Sequence, residues 1–145
     1  MENEIVHKEI DLIQACITRM ANNSFLLKGW AITIIAVGLA LTDKAQDSAL
    51  VSTVLLIPLF CFWFLDAFFL RTEKMYREMY KWVLQKRSEE DNTLLYDLDP
   101  RRFSDQVEPL WKVMNSLTLR WFYGIPTLIT LGFIVTRFFR SCLIE

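Results

Sequence analysis

Hydrophobic and polar positions along the chain fall into three long apolar stretches joined by polar ones. The most apolar stretch, 49–70, reads ALVSTVLLIPLFCFWFLDAFFL, and only small hydroxyls, Pro58 and one acid, Asp66, interrupt it. A hydrocarbon core about 30 Å thick is crossed by roughly 20 helical residues, because each residue of an α-helix rises 1.5 Å. The pattern of 49–70 therefore predicts a transmembrane helix.

A second stretch, 25–42, predicts a span that precedes this one. The stretch is shorter, and Lys28 lies one turn inside its start. A lysine in this position can lay its stem along the apolar surface and place its ammonium among lipid headgroups, and the neighbouring Trp30 suits the aromatic belt of an interface. We therefore interpret 25–42 as the first transmembrane helix.

A third stretch, 119–139, predicts the last span. Arg120 and Trp121 mark one end of it, and Arg137 marks the other. Its uninterrupted apolar core is short, and Pro126 predicts a kink within it. Because short apolar segments also form helices that lie in the interface, an alternative is that 119–139 rests on the membrane without crossing it.

The polar stretches have helical periodicity as well. Apolar side chains recur at helical spacing in the arm 1–24 and again in 71–87, which predicts that each is an amphipathic helix continuing one of the spans. A polar loop, 88–93, ends the second helix. The two apolar stripes need partners, and they consist of Ile5, Leu12, Ile13, Cys16, Ile17 and Met20 in the arm and of Met75, Tyr76, Met79, Trp82 and Val83 in 71–87.

A further helix is predicted ahead of the third span. In DQVEPLWKVMNS, Asp105 suits the N-cap position, Glu108 follows three residues later as its reciprocal partner, and Pro109 falls within the first turn. The apolar residues that follow lead directly into 119–139. We therefore expect one long helix that starts at Asp105 and continues through the span.

These elements together predict an all-α membrane protein with three transmembrane helices that extend into a cytosolic helical bundle. The spans are 25–42, 49–70 and 119–139, and the bundle is formed by the arm 1–24 and the segment 71–118. Three helices of one chain leave little room for a conducting path, so a homo-oligomer is expected.

The distribution of lysine and arginine predicts the orientation. The short connection between the first two spans carries only Lys44, whereas 71–118 carries nine basic residues: Arg71, Lys74, Arg77, Lys81, Lys86, Arg87, Arg101, Arg102 and Lys112. Cytoplasmic segments hold this excess, so 71–118 and the N-terminus are expected in the cytoplasm of a multi-pass inner-membrane protein. Arg137 and Arg140, in a tail expected outside, oppose this assignment.

Composition and charge exclude several classes of function. Hydrophobic residues make up 53% of the 145, too many for a soluble core, and the net charge of −1 gives no general attraction to nucleic acid. Cys16, Cys61 and Cys142 are an odd set at wide spacings, which favours free thiols over disulfides or a zinc site. His7 is the single histidine, no nucleophile with a base is visible, and no glycine-rich phosphate loop occurs. We predict no enzyme activity, metal or cofactor.

Asp66 is the main candidate for function, because a carboxylate in hydrocarbon is costly and should face protein or water. Lys28 lies at a similar depth in the first span, and Arg120 begins the third, so either can be its partner. One hypothesis makes these three residues the gate or lining of an ion pathway. The alternative is a structural ion pair that fixes the register of the helices.

A second candidate site is cytosolic. Guanidinium groups bind phosphate oxygens in bidentate fashion, so Arg101 and Arg102 near Lys81, Lys86 or Arg87 are predicted to form a pocket for an anionic ligand. The alternative is that these side chains only solvate a juxtamembrane helix or touch anionic lipid.

Three stretches of the chain, RMANNSFLLKGW (19–30), FWFLDAFFLRTEKMYREMY (62–80) and DPRRFSDQVEPLWKVMNSLTLRWFYG (99–124), resemble a group of small bacterial membrane proteins associated with antiphage defence islands. The resemblance covers most of the chain but fixes no ligand site. It implies a membrane effector that makes the inner membrane leaky when triggered, with a nucleotide-derived signal, or the enzyme that produces it, as partner. The alternative is a non-conducting anchor whose apolar stripes dock a cytosolic partner.

Overall fold

The computed structural model describes residues 2–42 and 48–144, and the long elements within these ranges are α-helices. Three helical stretches, Glu4–Gly38, Thr53–Ser88 and Leu117–Thr136, are long and apolar enough to cross a membrane. The prediction of an all-α chain with three membrane-length helices is therefore confirmed. The predicted turn around Lys44 lies outside the described residues, as do the side chains of Arg137 and Arg140.

Two helices of 41 residues each, α1 (Glu2–Thr42) and α2 (Ser48–Ser88), form an antiparallel hairpin. At 1.5 Å per residue each is about 60 Å long, twice the thickness of a hydrocarbon core. Near the connection, Gly38 lies directly against the side chain of Leu55, where a Cβ atom would clash. Glycine at this position therefore lets the two helices approach closely.

The two predicted apolar stripes pack against each other, which gives the hairpin its first core. Ile13 of α1 is buried with Met79 and Val83 of α2, and Phe103 closes this core from the segment that follows. A second core lies nearer the connection and contains Ala31, Leu59, Ala67, Val113, Leu119 and Tyr123. We call the half of the hairpin that holds Ile13 and Met79 the polar half, and the other half the apolar half.

The prediction of one long helix from Asp105 through the third span is wrong for the first part of this segment. Residues Pro100–Gln106 form a 3-10 helix whose N-cap is Asp99, and α3 begins only at Leu110 and ends at Met114. Pro109 explains the break, because proline disfavours helical geometry in the residue before it and lacks an N–H donor. Asp105 consequently caps no helix.

The third segment is interrupted again before it becomes a span. A short helix, α4 (Leu117–Leu119), is followed by one turn of π-helix, Arg120–Gly124, and then by α5 (Ile125–Ile144). The π-helical turn lies directly before Pro126, whose ring would clash with the carbonyl four residues earlier in a regular α-helix. The predicted irregularity at Pro126 thus takes the form of a wider turn on its N-terminal side.

Candidate functional site

The carboxylate of Asp66 is fully buried where all three membrane-length segments meet. Its Oδ1 atom accepts a hydrogen bond from the Ser24 hydroxyl of α1. Its Oδ2 atom lies 2.6 Å from Nζ of Lys28 and accepts a hydrogen bond of 3.1 Å from the Tyr123 hydroxyl of the π-helical turn. Each segment therefore supplies at least one member of this cluster, which we call the Asp66 cluster.

Lys28 is held within the cluster by two contacts. Its ammonium also donates to the Ser24 hydroxyl at 2.8 Å, one helical turn away on the same face of α1. The lysine side chain retains 22% of its exposure, whereas Asp66 retains none. The predicted pairing of Lys28 with Asp66 is thus observed, with the cation at the edge of the bundle and the anion inside it.

The Asp66 cluster lies near one end of the apolar half. The helix from Ser48 to Asp66 rises about 27 Å, and α5 rises about 28 Å from Ile125, just after Tyr123, to Ile144. Both lengths approach the 30 Å of a hydrocarbon core. A membrane that covered the apolar half over these lengths would therefore end close to the cluster.

Three exposed tryptophans mark the same level. Trp30 follows Lys28 by two residues, Trp121 precedes Tyr123 by two, and each keeps more than 60% of its surface exposed, as does Trp111 of α3. Indole rings concentrate where hydrocarbon meets headgroups. A boundary at the level of the Asp66 cluster would place Trp30 and Trp121 among the headgroups.

Arg120 does not join the cluster. It is exposed, and among the described carboxylates none forms an ion pair with it. The residue that the third segment supplies is Tyr123, three positions later on the π-helical turn. The structure therefore brings Lys28 and Asp66 together and keeps Arg120 apart from them, and the gate role of these three residues stays a prediction.

A second buried ion pair joins the start of α1 to the end of α2, in the polar half. Arg87 donates from Nε and Nη2 to the two carboxylate oxygens of Glu9 at 2.8 and 2.9 Å, and the two side chains are only 4% and 1% exposed. The backbone N–H of Tyr96 also donates to Glu9 at 3.0 Å from a left-handed conformation. The Arg87 pair therefore locks the start of α1, the end of α2 and the loop after it.

This pairing corrects part of the predicted anionic-ligand site. Arg87 is buried on Glu9, so its guanidinium is not accessible to an external anion. The other four residues of that prediction are also paired within the chain: Arg101 with Asp99, Arg102 with Asp97, Lys81 with Glu78, and Lys86 with Glu89 and Asp91. Arg102 also lies over the rings of Trp82 and Phe103.

A groove of about 850 Å³ opens on the polar half between α1, α2 and the segment after the 3-10 helix. Lys74, Arg77 and Lys81 of α2 line it at helical spacing, and Glu108 lines the opposite side. Lys74 lies 2.8 Å from Glu108, and this contact, with help from Lys112, holds the pKa of Glu108 below its usual value. Both side chains of this pair are exposed, so an external anion such as phosphate can compete with Glu108 for Lys74.

Sequence reasoning missed Tyr123 and Glu9, and only one of them carries a visible signal. Glu9 lies four residues before Ile13, so it is an acid within the apolar stripe of the arm. A charge in such a stripe indicates a buried partner. Tyr123 has no comparable signal, because its direction depends on the π-helical turn.

Comparison with protein-family models, with curated proteins and with solved structures finds no match to this chain.

Proposed function

We propose that this protein is a bacterial inner-membrane effector that oligomerises and, when triggered, permeabilises or depolarises the membrane. The observation that carries the proposal is the Asp66 cluster. A buried carboxylate and a partly hydrated ammonium join three membrane-length segments at the level where the bilayer ends. Because a fully buried carboxylate is costly unless its partners stay in place, such a cluster is a functional candidate in its own right.

In this proposal the Asp66 cluster is a closed gate. Breaking the contact between Lys28 and Asp66 leaves two charges that each require water or a new partner. Separation of the segments would supply that water, so the paired and hydrated arrangements form two alternatives whose balance a signal can shift. A conducting path would form between several copies, whose contacts would use the exposed apolar surface of the spans.

The groove beside Lys74 is where we propose that a nucleotide-derived signal acts. Lys74 and Lys81 are paired there with Glu108 and Glu78, two carboxylates open to solvent that a phosphate would have to displace, and the aromatic ring of Tyr80 lies among the lining residues. Val107 and Glu108 also line the groove, and the chain continues from them through α3 to the π-helical turn and Tyr123. A ligand there can therefore bias the third segment.

The test measures membrane potential in bacterial cells that express the chain at matched levels. Lys28→Met breaks the ion pair, and we expect it to depolarise cells without a trigger. Lys28→Arg, which keeps a cation beside Asp66, should retain the potential, and Lys8→Gln, which removes an exposed cation in the polar half, should leave it unchanged. A normal potential with Lys28→Met, in a protein that inserts and assembles like the wild type, would contradict the gate.

The non-conducting anchor is the second candidate, and the structure changes the surface that it would use. The buried parts of the two apolar stripes, at Ile13, Met79 and Val83, are occupied by each other, so a partner could use only the stripe residues that stay exposed. Exposed apolar side chains remain at the end of the polar half, where Leu12 and Tyr96 flank a shallow cavity of about 430 Å³. Copurification of a cytosolic protein that is lost with Leu12→Glu, together with an unchanged membrane potential on induction, would favour the anchor.

A further inference from the structure

Arg120 lies in a cleft that is open toward the surroundings of the bundle. The cleft has a volume of about 390 Å³ and lies between α2 and the third segment. Trp63 and Asn115 line it together with Arg120, and Gly124 and Leu128 continue it along α5. It therefore begins at the level of the Asp66 cluster and extends into the apolar half.

The chemistry of the cleft changes along its length. At one end are a guanidinium and an amide, and one turn further the lining is apolar except for Thr127, whose hydroxyl donates to the Tyr123 carbonyl. The Trp63 indole N–H already donates to the Met114 carbonyl and the Asn115 amide to the Trp111 carbonyl, so neither donor needs a ligand. Arg120 is different, because none of the described carboxylates pairs with it.

We propose that this cleft binds an anionic glycerophospholipid, with the phosphate on Arg120 and part of an acyl chain against Gly124 and Leu128. An arginine forks onto phosphate oxygens in bidentate geometry and stays charged at any physiological pH. The two exposed tryptophans Trp30 and Trp121 put Arg120 at headgroup level, where such a phosphate lies. A free phosphate could satisfy the guanidinium alone, but it would leave the apolar part of the cleft empty.

Gly124 gives this cleft its room. A Cβ atom at this position would meet no other atom within 4 Å, so the surface beside it is open space. A leucine there would fill the apolar part of the cleft without touching the charge of Arg120. The acyl-chain contact and the phosphate contact can therefore be tested separately.

The experiment counts lipids that remain bound to the full chain, purified in detergent, by native mass spectrometry. The probes are phosphatidylglycerol, phosphatidylcholine and glycerol 3-phosphate, each added at the same concentration. We expect the wild type to retain phosphatidylglycerol at least five times more often than phosphatidylcholine, and to retain no glycerol 3-phosphate. In Arg120→Gln, retention of phosphatidylglycerol should exceed that of phosphatidylcholine by less than a factor of two. Arg120→Lys should keep part of the wild-type preference for phosphatidylglycerol.

Two further variants complete the test. Gly124→Leu should reduce retention of both lipids, and Lys8→Gln, which removes a distant cation, should match the wild type. An unchanged lipid ratio in Arg120→Gln would overturn the assignment, and so would displacement of phosphatidylglycerol by glycerol 3-phosphate, which would indicate a site for free phosphate. Circular dichroism of each variant verifies the helical fold. Because lipid retention is measured without any trigger or conductance, its outcome is independent of the proposed effector function.

Discussion

The ammonium of Lys28 lies 2.6 Å from Oδ2 of Asp66, yet only the lysine retains contact with the surroundings. The carboxylate is enclosed by Ser24, Lys28 and Tyr123, and its exposed surface is zero. If Asp66 loses its charge, the ammonium can turn outward toward headgroups. If Lys28 loses its charge, the carboxylate has no such route. The two halves of this ion pair are therefore not equivalent.

This asymmetry predicts the order of two single substitutions. Lys28→Met leaves a buried anion and should lower the free energy of unfolding by about 3–5 kcal/mol, the usual cost of removing one partner from a buried pair. Asp66→Asn keeps one oxygen to accept from Lys28 and Tyr123, and its NH2 group can donate to the Ser24 hydroxyl, so we expect a smaller loss, of about 1–3 kcal/mol. Thermal unfolding in detergent, followed by circular dichroism, measures both.

The control for this comparison is an exposed pair in the same helix. Lys81 and Glu78 lie 2.7 Å apart but are largely open to solvent, and Lys81→Met should cost at most about 1 kcal/mol. If Asp66→Asn destabilises the protein more than Lys28→Met does, the enclosed position of the carboxylate does not govern the energetics of this cluster.

Tyr123→Phe tests how far the third segment depends on the cluster. The substitution removes the hydrogen bond to Asp66 and leaves the ring packed against Trp63. A hydrogen bond to a charged group contributes about 1.5–3 kcal/mol, so we expect a loss of that size together with faster amide hydrogen exchange in the π-helical turn. The matched variant Tyr96→Phe removes an exposed hydrogen bond from the Tyr96 hydroxyl to the Ile5 carbonyl and should leave exchange in the π-helical turn unchanged. Equal exchange in Tyr123→Phe and the wild type would mean that the turn is held by packing alone.

The long helices could be predicted from the sequence because periodicity records burial directly. Ile13, Met79 and Val83 appear as stripes in the sequence and as one core in the structure. The pairing of Lys28 with Asp66 followed from depth, since a hairpin places residues at equal distances from its connection side by side. These predictions needed only helical geometry and the cost of a charge in hydrocarbon.

The third segment could not be predicted in the same way, because local signals there compete. Asp105, Glu108 and Pro109 match the pattern of a helix start, but the same proline disfavours a helix in the preceding residue. Asp99 takes the capping role for a 3-10 helix instead. The π-helical turn then rotates the chain, so that Tyr123, and not Arg120, reaches Asp66. The extra residue in a π-helical turn changes which side chains face the bundle, and hydrophobic spacing in the sequence does not reveal a change of one residue.

The Arg87 pair leads to a prediction about the polar half. Glu9→Gln removes the charge that a 4% exposed guanidinium requires, and we expect a loss of about 3–5 kcal/mol in the free energy of unfolding. The amide of Tyr96, which donates to Glu9, should exchange hydrogen faster in this variant. Arg101→Gln breaks an exposed pair with Asp99 and should lower the free energy of unfolding much less than Glu9→Gln does. Similar losses in the two variants would show that burial of the Arg87 pair does not increase its contribution to the free energy of unfolding.

Acid should loosen the 3-10 helix through Asp99. Hydrogen bonds from the side chain and the backbone N–H of Arg101 lower the pKa of this carboxyl from 3.8 to about 2. Because the folded pKa lies below the unfolded one, the stabilising contribution is complete above about pH 4 and is lost as the pH falls toward 2. Exchange of the Arg101 amide, measured between pH 5 and pH 2 and corrected for intrinsic rates, should therefore accelerate over this range. Asp99→Asn cannot titrate, so its exchange should lack this acceleration, and an acid response identical to that of the wild type would assign the effect to other carboxylates.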